Sequence, residues 1–147
     1  LAKIIAERDK RLRADGNDQY IEVTGDFRHY VDDPYIDAPV VRGPLAEALG
    51  ARVIGGGFGG LLAAARLREA GVERIRIVEK GGYVGGIGDG NRVPGAQCDI
   101  ESYMYLPLLE ETGYIPKEKY SFAGEIRAHA RRIGEHFDLY GEACFQT

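Results

Sequence analysis

With 147 residues the chain is long enough for one domain with a core of its own. Its net charge of −4, with no basic stripe interleaved with aromatics, argues against a nucleic-acid partner. No apolar run approaches the ~20 residues of a membrane span, no secretory leader is visible, and Cys98 and Cys144 do not amount to a disulfide framework; reduced thiols in a cytoplasmic setting are the expectation. His29, His129 and His136 are scattered without metal-ligand spacing. The last two fall on a polar helix face and read as surface residues.

Residues 1–14 are rich in helix formers, with Leu1, Ile4, Ile5 and Leu12 on a loose apolar stripe and Gly16 and Asn17 as a stop. Residues 19–45 hold Asp-Asp-Pro, Ala-Pro and Gly-Pro groups without a sustained period. They read as an irregular arm, with a short strand at 20–23 and with Tyr20, Phe27, Tyr30 and Tyr35 giving more aromatic content than disorder usually carries. Residues 1–46 are therefore expected to form a helix and arm, and 47–147 a partial α/β domain.

Residues 51–80 are the most informative. A short apolar strand ending at Val53-Ile54 runs into Gly55-Gly56-Gly57-Phe58-Gly59-Gly60. A helix follows from about 59 to 70, with Leu61, Leu62, Ala65 and Leu67 as its apolar face and Gly71 as its stop. A second apolar run, Arg74-Ile75-Arg76-Ile77-Val78, closes on Glu79. This is the order of a dinucleotide-binding βαβ unit. Gly55 permits the tight turn, Gly57 leaves room for backbone to approach a phosphate, and Gly60 lets helix and strand pack closely. The free N–H groups opening the helix face the anion, and Glu79 stands where a carboxylate can accept from ribose hydroxyls. A glycine turn that packs without any ligand is the alternative. It has to account separately for the strand before, the helix after and the acid beyond.

After Lys80 the chain is too rich in glycine for a helix, and Asn91, Arg92, Asp99 and Glu101 sit within or just after that stretch. Backbone brought close to a flavin or a diphosphate is one reading, and a surface loop is the other. Residues 102–111 suggest a short helix. Residues 122–139 carry the strongest helical period, with Ala123, Ile126, Ala130, Ile133 and Phe137 on one face, Ser121 as N-cap, and Arg127, Arg131 and Arg132 turned to solvent. The chain opens on Leu1 rather than Met and closes on Ala143-Cys144-Phe145-Gln146-Thr147, which reads as the start of a strand. A piece of a longer protein is the expectation.

From about Val53 onward the chain resembles the start of the flavin-dependent Baeyer–Villiger monooxygenases, a group of class B flavoprotein monooxygenases. The glycine turn, Glu79-Lys80 and Gly85-Gly86 carry the likeness. The most specific stretch is Asn91-Arg92-Val93-Pro94-Gly95-Ala96-Gln97-Cys98-Asp99-Ile100-Glu101-Ser102, followed by Tyr105 and the long helix leading into Phe137-Asp138-Leu139-Tyr140. The leader from Leu1 to Tyr35 looks like the N-terminal arm of some members. The resemblance implies a Rossmann-like FAD-binding domain in a protein that takes FAD and NADPH, forms a C4a-peroxyflavin with O₂ and inserts oxygen beside a ketone carbonyl.

It further implies that Gly55, Gly57 and Gly60 flank the FAD diphosphate, with Phe58 and Lys80 alongside. Glu79 would bind the ribose and Gly86 would approach the cofactor. Asp99, as the catalytic residue, would lie by the flavin ring and pair with an arginine from the nicotinamide-binding domain. Tyr105 would be one more cofactor contact. The chain departs from the family in Ile87-Gly88-Asp89-Gly90, where aromatics including tryptophan are usual, in Tyr83 for a common aspartate, and in Val93 for the usual tyrosine. There is no second glycine fingerprint for NADPH, so the remaining FAD and NADPH domains are expected to be missing from this chain and the chain alone is expected to be inactive. Another class B monooxygenase acting on nitrogen or sulfur, a non-catalytic nucleotide-binding remnant and a simple NAD-dependent protein are the alternatives.

Overall fold

The four-residue runs Ala51–Ile54 (β1) and Ile75–Val78 (β2) are strands, and Ala143–Cys144 (β3) is a third. All are parallel, in the order β1-β2-β3. The computed structural model describes residues 1–147 and divides into two compact units, Leu1–Pro34 and Tyr35–Thr147. The sheet belongs to the second.

In the first unit, helix α1 (Ala2–Asp9) ends well before Gly16. None of its residues is buried, so an eight-residue helix has only local support such as the Lys10–Glu7 pair, too little to extend it. Gly16–Gln19 and Gly25–Tyr30 are 3₁₀ turns. The strand expected at 20–23 is not formed. Tyr20, Ile21 and Val23 are exposed, and a β-prone run with neither a partner strand nor an apolar face to cover has nothing to hold it extended.

In the second unit, α2 (Phe58–Glu69) is the crossover from β1 to β2, as a parallel pair requires. The buried positions of α2 are Leu61, Ala64 and Ala65, which share one helical face; Leu62, expected inward, is exposed. They pack on Ile75 and Ile77 of β2 and on Ala130 and Ile133 of α6 (Ala123–His136), with Val84, Leu108 and Leu139 completing the core. Arg76 and Val78 point to the opposite face of the sheet. There Glu47 accepts two hydrogen bonds from Arg76, both 2.8 Å.

The glycine-rich stretch contains one helical turn, α3 (Ile87–Gly90), against the expectation of none. Gly90 N–H donates to the Gly86 carbonyl at 3.0 Å, and the burial of Asp89 pins the turn in place. The helix expected over 102–111 is two separate turns, α4 (Ser102–Tyr105) and α5 (Leu109–Thr112). Pro107 removes a donor between them and Leu108 takes a left-handed φ of 58°. Ser121 is not the N-cap of α6. Phe122 holds that position, and the Ser121 hydroxyl is buried against that of Ser102 at 2.7 Å. His129 is buried rather than on the surface. Arg132 and Arg131 lie over the rings of Tyr114 and Tyr83, at 3.9 and 5.3 Å, rather than in open solvent. A guanidinium in reach of an aromatic face packs on it and buries its stem.

Candidate functional site: a glycine turn faced by a carboxylate

At the C-terminal end of β1 the backbone turns at Gly55 with φ +97°, a conformation that side chains disfavour. Gly55 N–H donates to the Val78 carbonyl at 2.8 Å, tying the turn to the end of β2. Glu79 follows immediately. One of its carboxylate oxygens accepts from Gly56 N–H at 2.5 Å and the other from Gly81 N–H at 2.6 Å. The acid at the end of the second strand therefore stands directly beside the turn that follows the first. The site lies outside the carboxyl ends of parallel strands, where open α/β sheets bind ligands.

Gly57 precedes α2 in an extended conformation and supplies no side-chain cap. The opening N–H groups of a helix lack intrahelical acceptors, so those of Phe58, Gly59 and Gly60 are donors for an external anion. A Cβ on Gly60 would stand 1.8 Å from the Gly55 carbonyl oxygen, so helix and strand can approach this closely only with glycine there. Gly86, at φ +55°, comes against Gly57, and a Cβ on it would stand 2.9 Å from the Gly57 Cα. Gly85 N–H donates to the Gly56 carbonyl at 2.9 Å, which holds the glycine-rich stretch against the turn. A cradle of backbone donors with a carboxylate at its edge fits a diphosphate joined to a sugar. The carboxylate has about four acceptor positions, two of them used by Gly56 and Gly81, which leaves capacity for hydroxyl donors.

The other residues singled out from the sequence differ in burial and in what holds them. Phe58 is half-buried at the start of α2, and the half-buried Tyr105 ring stands edge-on to it at 5.7 Å. Lys80 and Asp99 are exposed. Asp99 sits on a bend held from both sides, by Cys98 N–H to the Ser121 carbonyl at 3.0 Å and Ser102 N–H to the Lys119 carbonyl at 2.7 Å. The Ser102 hydroxyl adds a bond to the Glu118 carbonyl at 2.8 Å. This anchorage presents the carboxylate outward instead of folding it into the core.

Two groups were not legible as site components. Asp89 is buried and accepts from Arg92 at 2.8 Å, and the Arg92 guanidinium lies 3.8 Å over the Tyr35 ring. An aspartate with an arginine three residues on, inside a glycine-rich stretch, was the available signal. The second is His129, whose neighbours come from three separate parts of the chain. No grouping of His, Cys, Asp and Glu comes together to hold a metal ion.

Comparison with known proteins places this geometry. A family profile described as an NAD(P)-binding Rossmann-like domain matches residues 53–111, which include the turn, Glu79, Gly86, Asp99 and Tyr105. A Baeyer-Villiger monooxygenase of Streptomyces coelicolor is 51% identical over 141 residues, covering 96% of this chain and 23% of that protein. The polycyclic ketone monooxygenase from the thermophilic fungus Thermothelomyces thermophila superposes with a TM-score of 0.85 at 41% identity, over 99% of this chain and 25% of that one. OTEMO, solved as a complex with FAD and NADP, superposes with a TM-score of 0.63 at 29% identity over 70% of this chain and 20% of that one. The chain spans about a quarter of the length of the curated relatives it matches. In sequence and in fold, over nearly its whole length, it resembles the N-terminal FAD-binding portion of the flavin-dependent Baeyer–Villiger monooxygenases.

Proposed function

We propose that the chain is the FAD-binding portion of an NADPH-dependent monooxygenase of the Baeyer–Villiger type, which inserts oxygen beside the carbonyl of a small-molecule ketone in a cytoplasmic setting. The observation that carries this reading is the placement of the Glu79 carboxylate on Gly56 N–H, beside the uncapped start of α2. Bound FAD supplies the electron transfer and oxygen activation that no side chain of this protein can provide.

The chain's own residues bind and orient. The amides of Phe58, Gly59 and Gly60 receive the diphosphate, while Gly55, Gly57 and Gly60 keep side chains out of its way. Glu79 accepts from ribose hydroxyls, Gly86 lets the backbone come close, and Lys80 and Tyr105 border the cofactor. Asp99, held outward on its bend, acts as the catalytic carboxylate beside the flavin ring by fixing an arginine contributed from elsewhere, so that a cation stands where negative charge develops. That arginine, the NADPH site and most substrate contacts have no counterpart in these 147 residues, so the isolated chain binds FAD weakly and does not turn over.

The test is direct. The purified chain is titrated with FAD at equilibrium and binding is read from the change in flavin fluorescence, beside Glu79→Ala. An affinity that falls about tenfold or more in the variant supports the reading, since loss of charge-assisted bonds of this kind costs roughly 1.5–3 kcal/mol. A protein that gives no flavin signal even with FAD in excess overturns it. Oxidation of NADPH coupled to ester formation by the isolated chain would refute the inactivity. A second reading, a nucleotide-binding remnant without catalysis, is favoured by one feature: Asp89, in the stretch where the family resemblance implies aromatics, is buried on Arg92. It predicts that the chain stays empty of flavin in the same assay, even with FAD in excess.

A further inference from the structure

One buried titratable group lies behind the glycine turn and has no part in the function proposed above. His129 on α6 is wholly buried. Its Nε2 lies 2.6 Å from the Pro107 carbonyl, and because a carbonyl only accepts, Nε2 carries a proton and donates it. In the neutral ring Nδ1 is then a bare lone pair, and it is buried without any partner. The ring stacks on Tyr114, centroids 5.3 Å apart and planes at 24°, and packs on Phe58 at 6.0 Å. Phe58 is the first residue of α2, next to Gly57, so the imidazole backs the helical turn whose amides open the site.

We propose that neutral His129 is a positioning residue for the glycine turn, holding Phe58 and with it the opening amides of α2 only while Nδ1 is unprotonated, so that acidification loosens the anion cradle. A second proton on this ring would place a donor with no acceptor, and a positive charge, inside the packed junction of α2 and α6. The surrounding groups decide how costly that is. From α6 itself come Arg132, whose guanidinium lies over Tyr114 and has a buried Nη1 with no partner, and Glu125. Glu125 is already committed, accepting from the Tyr114 hydroxyl at 2.5 Å and Lys117 N–H at 2.9 Å. The loops on either side of α5 contribute Tyr114 and the Pro107 carbonyl, and α2 contributes the uncharged Phe58 ring. Burial pushes the imidazole below its ordinary value. The bond to Pro107 opposes that, Arg132 reinforces it, and Glu125 only partly offsets it.

The sign follows. A form in which the junction has opened takes the proton first, near the ordinary histidine value of about 6.5, and is favoured as pH falls below it. The coupling is bounded at about tenfold per pH unit for one proton.

The inference rests on the dinucleotide reading of the turn, and its test is chosen to be read without flavin. Amide exchange is followed in the 147-residue chain at about pH 7.5 and about pH 5.5, corrected for intrinsic exchange, in wild type, His129→Gln and His129→Phe. Glutamine keeps an N–H donor toward Pro107 but cannot titrate, and phenylalanine keeps a ring against Phe58 and Tyr114. Protection of the amides of Leu61 to Ala64, which close the first turns of α2, should drop by up to about tenfold in wild type, with a smaller change at Ile75 and Ile77. The drop should vanish in both variants. Wild-type protection that does not respond to pH, or an equal response in the variants, overturns the proposal. Should both variants fail to fold, the NMR titration of the His129 ring in wild type decides: its midpoint must lie below the ordinary histidine value of about 6.5, with protection falling between the two, and a midpoint at or above that value overturns it. FAD retention at the two pH values is measured in parallel. Absence of FAD binding at both would sink the proposed function and leave the exchange result standing on its own.

Discussion

Gly60 and Glu79 are the residues whose roles are best defined by contact. A methyl group on Gly60 would meet the Gly55 carbonyl oxygen at 1.8 Å, a backbone atom that cannot rotate away. Gly60→Ala should therefore destabilise the second unit by about 3 kcal/mol or more, visible as a lowered denaturation midpoint. Gly86→Ala combines a φ of +55° with a Cβ 2.9 Å from Gly57 and should cost about 1–3 kcal/mol by the same measurement. Glu79→Gln keeps an acceptor for one amide and presents a donor to the other, so it should weaken flavin retention and lower stability by about 1–3 kcal/mol. The glycine spacing and the acid beyond it were legible because each is a local steric or charge requirement. Burial of His129 was not, because a histidine on a helix reads as polar until Pro107, Tyr114 and Phe58 are folded around it.

Among the elements, the apolar face of the long helix was legible and the turn inside the glycine-rich stretch was not. Ile126, Ala130 and Ile133 recur at helical spacing and are all buried in α6. Ile133→Ala should cost about 2–5 kcal/mol in chemical denaturation, because the residue is fully buried in the core that α6 shares with α2. The single turn α3 escaped the sequence because glycine disfavours helix on intrinsic grounds. What forms it is tertiary: Asp89 is buried on Arg92, Arg92 lies over Tyr35, and the absent side chain of Gly88 lets the turn approach Ile126, where a Cβ would stand 3.2 Å from the side chain. The split of residues 102–111 into α4 and α5 has a local cause in Pro107, which the helical pattern on either side obscured.

At the scale of the molecule, every member of the hydrophobic core lies in the second unit, and no residue of α1 or of the two 3₁₀ turns is buried. Deleting residues 1–34 should leave residues 35–147 folded, with a melting midpoint changed by less than about 4 °C; a loss of cooperative unfolding would contradict this. The sheet of the second unit has β2 at its centre and β1 at an edge, and Ile54 at the end of β1 is 86% exposed. Its opposite face carries Arg52, Arg76 and Val78 next to the segment around Val40 to Glu47, which is tied down by Arg76–Glu47 and by Arg42 to the Phe145 carbonyl at 2.8 Å. The sequence by itself determined the βαβ unit, its glycine turn and the acid that faces it, since strand, turn and helix signals there are short-range and mutually consistent. Only the tertiary structure decided which polar groups are inside. The placement of His129, Asp89 and Ser121 depends on partners drawn from distant parts of the chain, and desolvation at such a junction is a property of the packed assembly rather than of any one residue's spacing.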